Sequence, residues 1–340
     1  MKNSVRFLII IFSTVIISCG HDRLDVDVSN VQINPVKIER FDEDFFKMDT
    51  ARVIESLELL EKKYGSFTDV FVNNIVCQGM RDSLTRMNAL KDFVKDPVNI
   101  AAFEGYQKLF SQGLEETEAQ LNSAFRYFKY YFPGRHLPAR IYALYTRFAY
   151  NFIHSEGEYG ISLEFHLGPL STFYERTEWP RYKRSTLSKE YIVPKFVKSW
   201  MMNEFPFNPP KNDVLNNIVY EGKLLYLSKA LLYGWHDTLI TGFTQKQTEW
   251  CEASEASMWA NIIEKKLLYS ENEEDINHMV MDGPFTPGFP RESPGKAGIW
   301  IGLRIVEAFM EKNENVSLEE LMSINDAQVI LSRSKYKPKF

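Results

Sequence analysis

The sequence predicts an α+β fold that is mostly α-helical, with a small β-hairpin or sheet in the middle of the chain. Three observations carry this. Apolar residues recur at helical spacing through most of residues 53–131 and again through residues 188–310. Between them, residues 140–152 (RIYALYTRFAYNF) and 160–167 (GISLEFHL) are rich in aromatic and β-branched residues. A turn signal, Ser155-Glu156-Gly157, separates those two runs, which reads as a hairpin.

The first residues address the chain to a membrane. Lys2 and Arg6 precede the apolar run Phe7 to Ile17, which is too short for the roughly 20 residues a spanning helix needs. A basic start, a short apolar centre and a small residue before the cut form an export signal, here residues 1–18. Ser18-Cys19 follows Ile16-Ile17 as in a lipobox. A small side chain suits the peptidase pocket, and a thiol takes the thioether lipid, so Cys19 is the expected lipidation site and the lipid the expected membrane attachment. Gly20, rather than Asp, follows it, which under the enterobacterial sorting rule permits transfer to the outer membrane. The alternative is an ordinary secretory signal with a coincidental cysteine. Residues 19–30 read as the lipidated cysteine and a flexible tether, in which Asp22, Asp25 and Asp27 serve either as sorting information or as simple solvation. Residues 31–340 read as one domain: a helical part to 135, a β-containing centre to 185, and a helical remainder.

Within that domain, Val31 to Ile38 reads as a short strand that Pro35 confines to an edge. Val53, Ile54, Leu57, Leu60 and Tyr64 share a helix face, with Gly65 as its stop. Helices follow over 67–77, 84–93, 97–110 and 115–130, and Phe132-Pro133-Gly134 ends the series. After the hairpin, residues 173–184 read as an aromatic, basic loop. Helices then run over 188–203, 213–232 and 244–268. Ser293 and Pro294 suit the N-cap and first position of a helix reaching Met310, and Ser317 to Glu320 is a capping box. There is no internal repeat and no low-complexity tract.

Composition is that of an ordinary globular protein, 44% hydrophobic and 25% charged. A net charge of -5 argues against nucleic acid as a partner. No second apolar run approaches the length of a span. Cys77 and Cys251 remain after Cys19; an oxidising envelope would let them pair, or they are small buried hydrophobes.

Signals for chemistry are weak. The six histidines include no pair at i, i+4, so HExxH is absent, as are CxxC and G-x-S-x-G. No cofactor is expected. Ser293-Pro294-Gly295-Lys296 fails as a Walker A loop, because the preceding glycine is Gly288 and Ala297 follows the lysine. Lys296 near a helix N-terminus is a candidate anion contact, weighed against a plain capped helix. Gly295, Gly298 and Gly302 fall near one helix face and suggest close approach of another backbone. Glu249, Glu252 and Glu255 recur every third residue beside Trp250 and Trp259; Glu255 is the candidate acid, set against a simple solvated face. Aromatic residues make up 14% of the chain, most of them at core spacing, although a surface platform for glycans is a third reading.

Several segments resemble the gliding-motility lipoprotein B (GldB) family of Bacteroidetes. They are Ile38 to Asp42 with Phe45-Phe46, Tyr220 to Leu227, and Trp250 to Trp259. Gly283-Pro284-Phe285, Glu292 to Lys296 with Gly298 and Trp300, and Ser334 to Pro338 complete the set. The resemblance spans nearly the whole chain and rests on order and spacing. It implies a non-enzymatic, lipid-anchored envelope protein whose partners belong to the gliding or type IX secretion machinery, and it brings no catalytic residues. The family also looks distantly similar to zincin-type peptidases, whose HExxH helix precedes a helix carrying a glutamate. Here Tyr191 to Trp200 contains no histidine, and Glu221 on the next helix would be the relic of a degenerate zincin-like fold, with a divergent hydrolase as the rival reading.

Overall fold

A computed structural model describes residues 22–176 and 178–338. The export signal and Cys19 lie outside them. The chain is 57% helical with one four-stranded mixed sheet, so the α+β, mostly helical expectation holds.

Strand β1 (Ile38–Glu39) is followed by helices α1 (Phe41–Phe46), α2 (Val53–Tyr64), α3 (Ser66–Phe71), α4 (Ser83–Lys95), α5 (Pro97–Leu109) and α6 (Glu115–Tyr131). Strands β2 (Arg140–Leu144), β3 (Phe152–Ser155) and β4 (Glu158–Ser162) come next, then short helices α7 (Thr172–Arg176) and α8 (Arg181–Arg184). The remainder is helical: α9 (Ile192–Glu204), α10 (Val214–Leu231), α11 (Asp237–Thr241), α12 (Gln245–Glu264), α13 (Glu273–Val280), α14 (Gly298–Lys312), α15 (Leu318–Ser323) and α16 (Ala327–Ser334).

The sheet order is β1-β2-β4-β3. The turn signal at 155–157 does make a hairpin, but only β3 forms its first arm, antiparallel to β4. The run from 140 divides instead. Its first five residues form β2, parallel to β4 on one side and to β1 on the other. Thr146 to Asn151 leaves the sheet, with Arg147 and Phe148 both at positive φ. The expected edge strand at 31–38 shrinks to β1, which does lie at an edge.

Phe41, Phe45, Phe67, Phe71 and Phe93 pack with Tyr64 and Tyr142 into a core of edge-to-face rings beneath the sheet. Phe41 and Phe45 stand four residues apart on α1, which places both on one face.

The other half is built round α10, buried on nearly all sides, as expected of a helix apolar around its circumference. Helix α14 crosses it with almost no separation. A methyl group on Gly302 would overlap the Ile218 carbonyl, and one on Gly222 would overlap the backbone of Gly302. Gly302 and Gly222 are therefore backbone contacts between the two helices, Gly298 lies against Met279 of α13 and the Ile218 side chain, and Gly295 meets the backbone of Gly283 before the helix starts. That start falls at Gly298 and not at Pro294, because Lys296 adopts φ 55°, outside the helical region. Thr286 holds the intervening turn, its hydroxyl donating to the Pro294 carbonyl and accepting from the Ala297 amide. Cys77 and Cys251 are both free and buried. Burial raises the Cys251 thiol to about 12.

Residues 22–30, the expected tether, run along the body. The Arg23 guanidinium donates to the carbonyls of Met310 at 2.6 Å and Val316 at 2.7 Å, and Leu24 is buried. Among the described residues no helix is long and apolar enough to cross a membrane.

Candidate functional site

Helices α9 and α10 pack side by side, and their contact places Glu221 beside a lysine. Lys198 Nζ lies 2.6 Å from Glu221 Oε2, with the two side chains 28% and 17% exposed. One turn earlier on α9, Lys195 donates to the Thr186 carbonyl at 2.6 Å. Burial lowers Lys195 to about 8, and repulsion from Lys296 adds to this.

Lys296 closes the array by pairing with Asp282 at 2.8 Å. Partial desolvation works against the Asp282 charge, but Lys296, with Lys198 and Lys195 behind it, outweighs this and holds the carboxyl below its usual range. Lys296 and Asp282 line a cleft of about 240 Å³ with Arg181, Tyr182, Thr244 and Gln247. The cleft thus carries more cationic than anionic groups and suits a small anion.

Glu255 belongs to a different network. Its Oε2 accepts from Trp300 Nε1 and Arg304 Nε, both at 3.1 Å, and its Oε1 accepts from the Tyr336 hydroxyl at 3.0 Å. One carboxylate thereby ties α12 to α14 and to the C-terminal tail. Burial and the Glu255 charge both push the Tyr336 hydroxyl upward. Glu249 and Glu252 stay exposed, so the triplet is a solvated face except at Glu255, which turns inward.

Groups that the sequence reading passed over are buried more deeply. Glu164 is fully buried on the 3-10 turn Leu163–His166. Its Oε1 accepts from the Thr146 amide at 2.7 Å, the Thr146 hydroxyl at 2.9 Å and the Phe148 amide at 3.2 Å. Its Oε2 has no partner. Burial raises its pKa to about 7. His166, two residues on, is pushed down to about 3 by burial and by the charge of Lys195. Lys223 is buried on α10 and donates to the Ile324 carbonyl at 2.8 Å and the Met322 carbonyl at 3.3 Å, which closes the end of α15. A lysine directly before the apolar run Leu224-Leu225-Tyr226-Leu227 was the available signal for it.

The motifs that carried the resemblance are largely structural. Arg140 forks onto both oxygens of Glu39 at 2.8 and 2.7 Å across β1 and β2, and Arg40 forks onto the buried Asp42. Among the described residues, no group of three or more His, Cys, Asp or Glu side chains is placed to hold a metal ion.

A mostly helical body with a small mixed sheet, tied by ion pairs, is the class of protein that the fold defines, and a lipobox pattern lies ahead of it in the sequence. The model of the family described as gliding motility protein GldB matches residues 21–338. The chain belongs to that family, whose members are lipoproteins associated with gliding motility. No curated protein and no solved structure matches it.

Proposed function

We propose that the chain is an accessory lipoprotein of the cell envelope that performs no chemistry and supports gliding or type IX secretion machinery through protein contacts. The observation that carries this is that the acids of the α9–α10 contact, the cleft and the α12–α14 contact are each paired. Glu221 faces Lys198, Asp282 faces Lys296, and Glu255 is held by Trp300, Arg304 and Tyr336. A general base must reach substrate; Glu221 and Glu255 are instead tied to neighbouring donors, and Glu164, whose Oε2 has no partner, is fully buried. The Lys198 ammonium gives Glu221 the counter-charge that a metal would supply in a peptidase, in keeping with a zincin-like ancestry in which the site became a structural pair. Deletion of the gene is expected to impair gliding, secretion or the abundance of a partner; a deletion strain unchanged in all three refutes the proposal. The lipid at Cys19 belongs to the same reading: palmitate labels the wild type and is lost in Cys19→Ala.

One observation favours the rival hydrolase. Burial holds Lys195 at about 8, within reach of the charges of Lys296 and Asp282 that line the cleft, and perturbed lysines beside clefts mark candidate nucleophiles and bases. Stoichiometric zinc in the purified protein, or peptidase activity lost in Lys195→Met, would establish it.

A further inference from the structure

We infer that the face around the Arg23 clamp lies against the bilayer, so that the lipid anchor holds the body flush with the membrane in one orientation. The inference rests on lipidation of Cys19 and follows from how few residues separate Cys19 from the contact made by Arg23.

Four peptide units separate Cys19 from Arg23, a reach of at most about 14 Å fully extended. Arg23 has no freedom to lengthen this leash. Its guanidinium donates to Met310, Val316 and Glu314 carbonyls at 2.6, 2.7 and 3.3 Å, where α14 ends and the chain turns toward α15. Leu24 is buried beside it, and the Tyr131 hydroxyl donates to the Leu24 carbonyl at 3.4 Å. A bilayer's headgroup layer takes up about 5–7 Å on each side of the hydrocarbon. That leaves little of the leash for the body to rise or turn.

The surface at this point has the chemistry of an interface. Tyr131 and Tyr127 border residues 24–27; Tyr130 stacks edge-on against Tyr131 at 5.1 Å, and Tyr127 lies 6.5 Å from Tyr233. Tyr130 is 47% exposed. The acidic charges of Asp22 and Asp25 reach the Tyr233 hydroxyl. Tyrosines with an apolar ring and a polar tip collect at headgroup level. Asp22, Asp25 and Asp27 lie among them; Arg23 is taken up by carbonyls, and Arg126 lines the cleft beside Asp27, so three carboxylates stand against that one further arginine. The matching surface is therefore a zwitterionic headgroup layer, and not an anionic one that the three aspartates would repel.

The opposite end of α6 provides the control. Glu116, exposed and paired with Lys189 at 3.1 Å, lies about 21 Å along the helix from Tyr130. The chain from Cys19 onward is coupled through the Cys19 thiol to a maleimide lipid in phosphatidylcholine vesicles, which the burial of Cys77 and Cys251 makes selective. A photoreactive diazirine amino acid replaces Tyr130 in one sample and Glu116 in another. Lipid adducts several-fold more abundant from position 130 are expected; equal yields overturn the inference. In Arg23→Ala, with folding checked by thermal melting, the ratio should fall toward one, and an unchanged ratio overturns the role of the clamp. Because the lipid is supplied chemically, the outcome is independent of acylation in cells, which palmitate labelling tests separately.

Discussion

Around Phe41 the N-terminal half is held by aromatic rings, whereas around Gly222 and Gly302 the C-terminal half is held by backbone lying on backbone. Phe41 meets the rings of Phe45, Tyr64, Phe67, Phe71 and Tyr142 within 6.3 Å. Large rings fill space at the cost of awkward shapes, and this half leaves Glu164 Oε2 buried without a partner, as the other half leaves Thr248 Oγ1 and Asn261 Oδ1 on α12. The glycine crossing has no room for such gaps, and the ionisable groups near it are paired at its margins. The first kind of core tolerates adjustment of a side chain; the second tolerates no added atom, because carbonyls cannot rotate away.

The largest expected effect is therefore at Gly302. Gly302→Val should destabilise by about 3 kcal/mol or more and yield mostly insoluble protein. Gly134→Ala, where an added methyl meets nothing, should shift denaturant midpoints by less than about 0.5 kcal/mol. Equal effects at the two sites would break the comparison. Phe41→Ala comes next, at about 3–5 kcal/mol by urea titration, with Phe41→Leu well below it because neighbouring rings can close in.

The ion pairs sharpen the contrast. Lys198→Met leaves a largely buried Glu221 without its counter-charge and should cost about 2–3 kcal/mol, reduced from the fully buried case by partial exposure. The double variant Lys198→Met with Glu221→Leu should recover most of that loss in the same melts. No recovery would mean that the pair does more than neutralise itself.

The last effect concerns pH. Glu164 has its pKa raised from 4.5 to about 7. The folded state then holds the proton more tightly, so its contribution to stability is complete below pH 4.5 and is lost as pH rises through 7. His166 is lowered from 6.5 to about 3. Its contribution is complete above pH 6.5 and is lost as pH falls through 3, the opposite slope. Between pH 4.5 and 6.5 the two oppose each other. Glu164→Gln should expose the histidine alone, with stability rising by about 1.4 kcal/mol per pH unit across that window. A variant whose pH profile matches the wild type would show that Glu164 does not titrate in the fold.

Much of the helical organisation could be read from the chain. Val53–Tyr64, ended by Gly65, matches its apolar spacing, and the capping box at Ser317 forms; a second, at Thr244, opens α12. The start of α14 was misread because Ser293 and Pro294 look like a cap; the Ser293 hydroxyl instead accepts from the Thr286 amide, a partner no local rule reveals. Short helices such as α1, α11, α13 and α16 escaped notice because too few turns establish a period. The parallel pairing of β2 with β4 was equally hidden. A hairpin signal specifies which neighbours turn back on each other, not which distant strand slides in beside them. Of the candidate residues, Glu221, Glu255 and Lys296 all proved to be engaged, but their partners lie 23, 45 and 14 residues away in the chain.

What the sequence determined by itself is therefore local: the lipobox pattern at Cys19, the helix periods and caps, and the ordered segments by which the family is recognised. Those depend on neighbours within a turn or two of chain. The tertiary structure decided which charges neutralise one another, which glycines let two helices touch, and that Arg23 fastens residues 22–24 to the end of α14. Each of these needs atoms that only the closed fold brings within a few ångströms, where low dielectric and close packing set their energies.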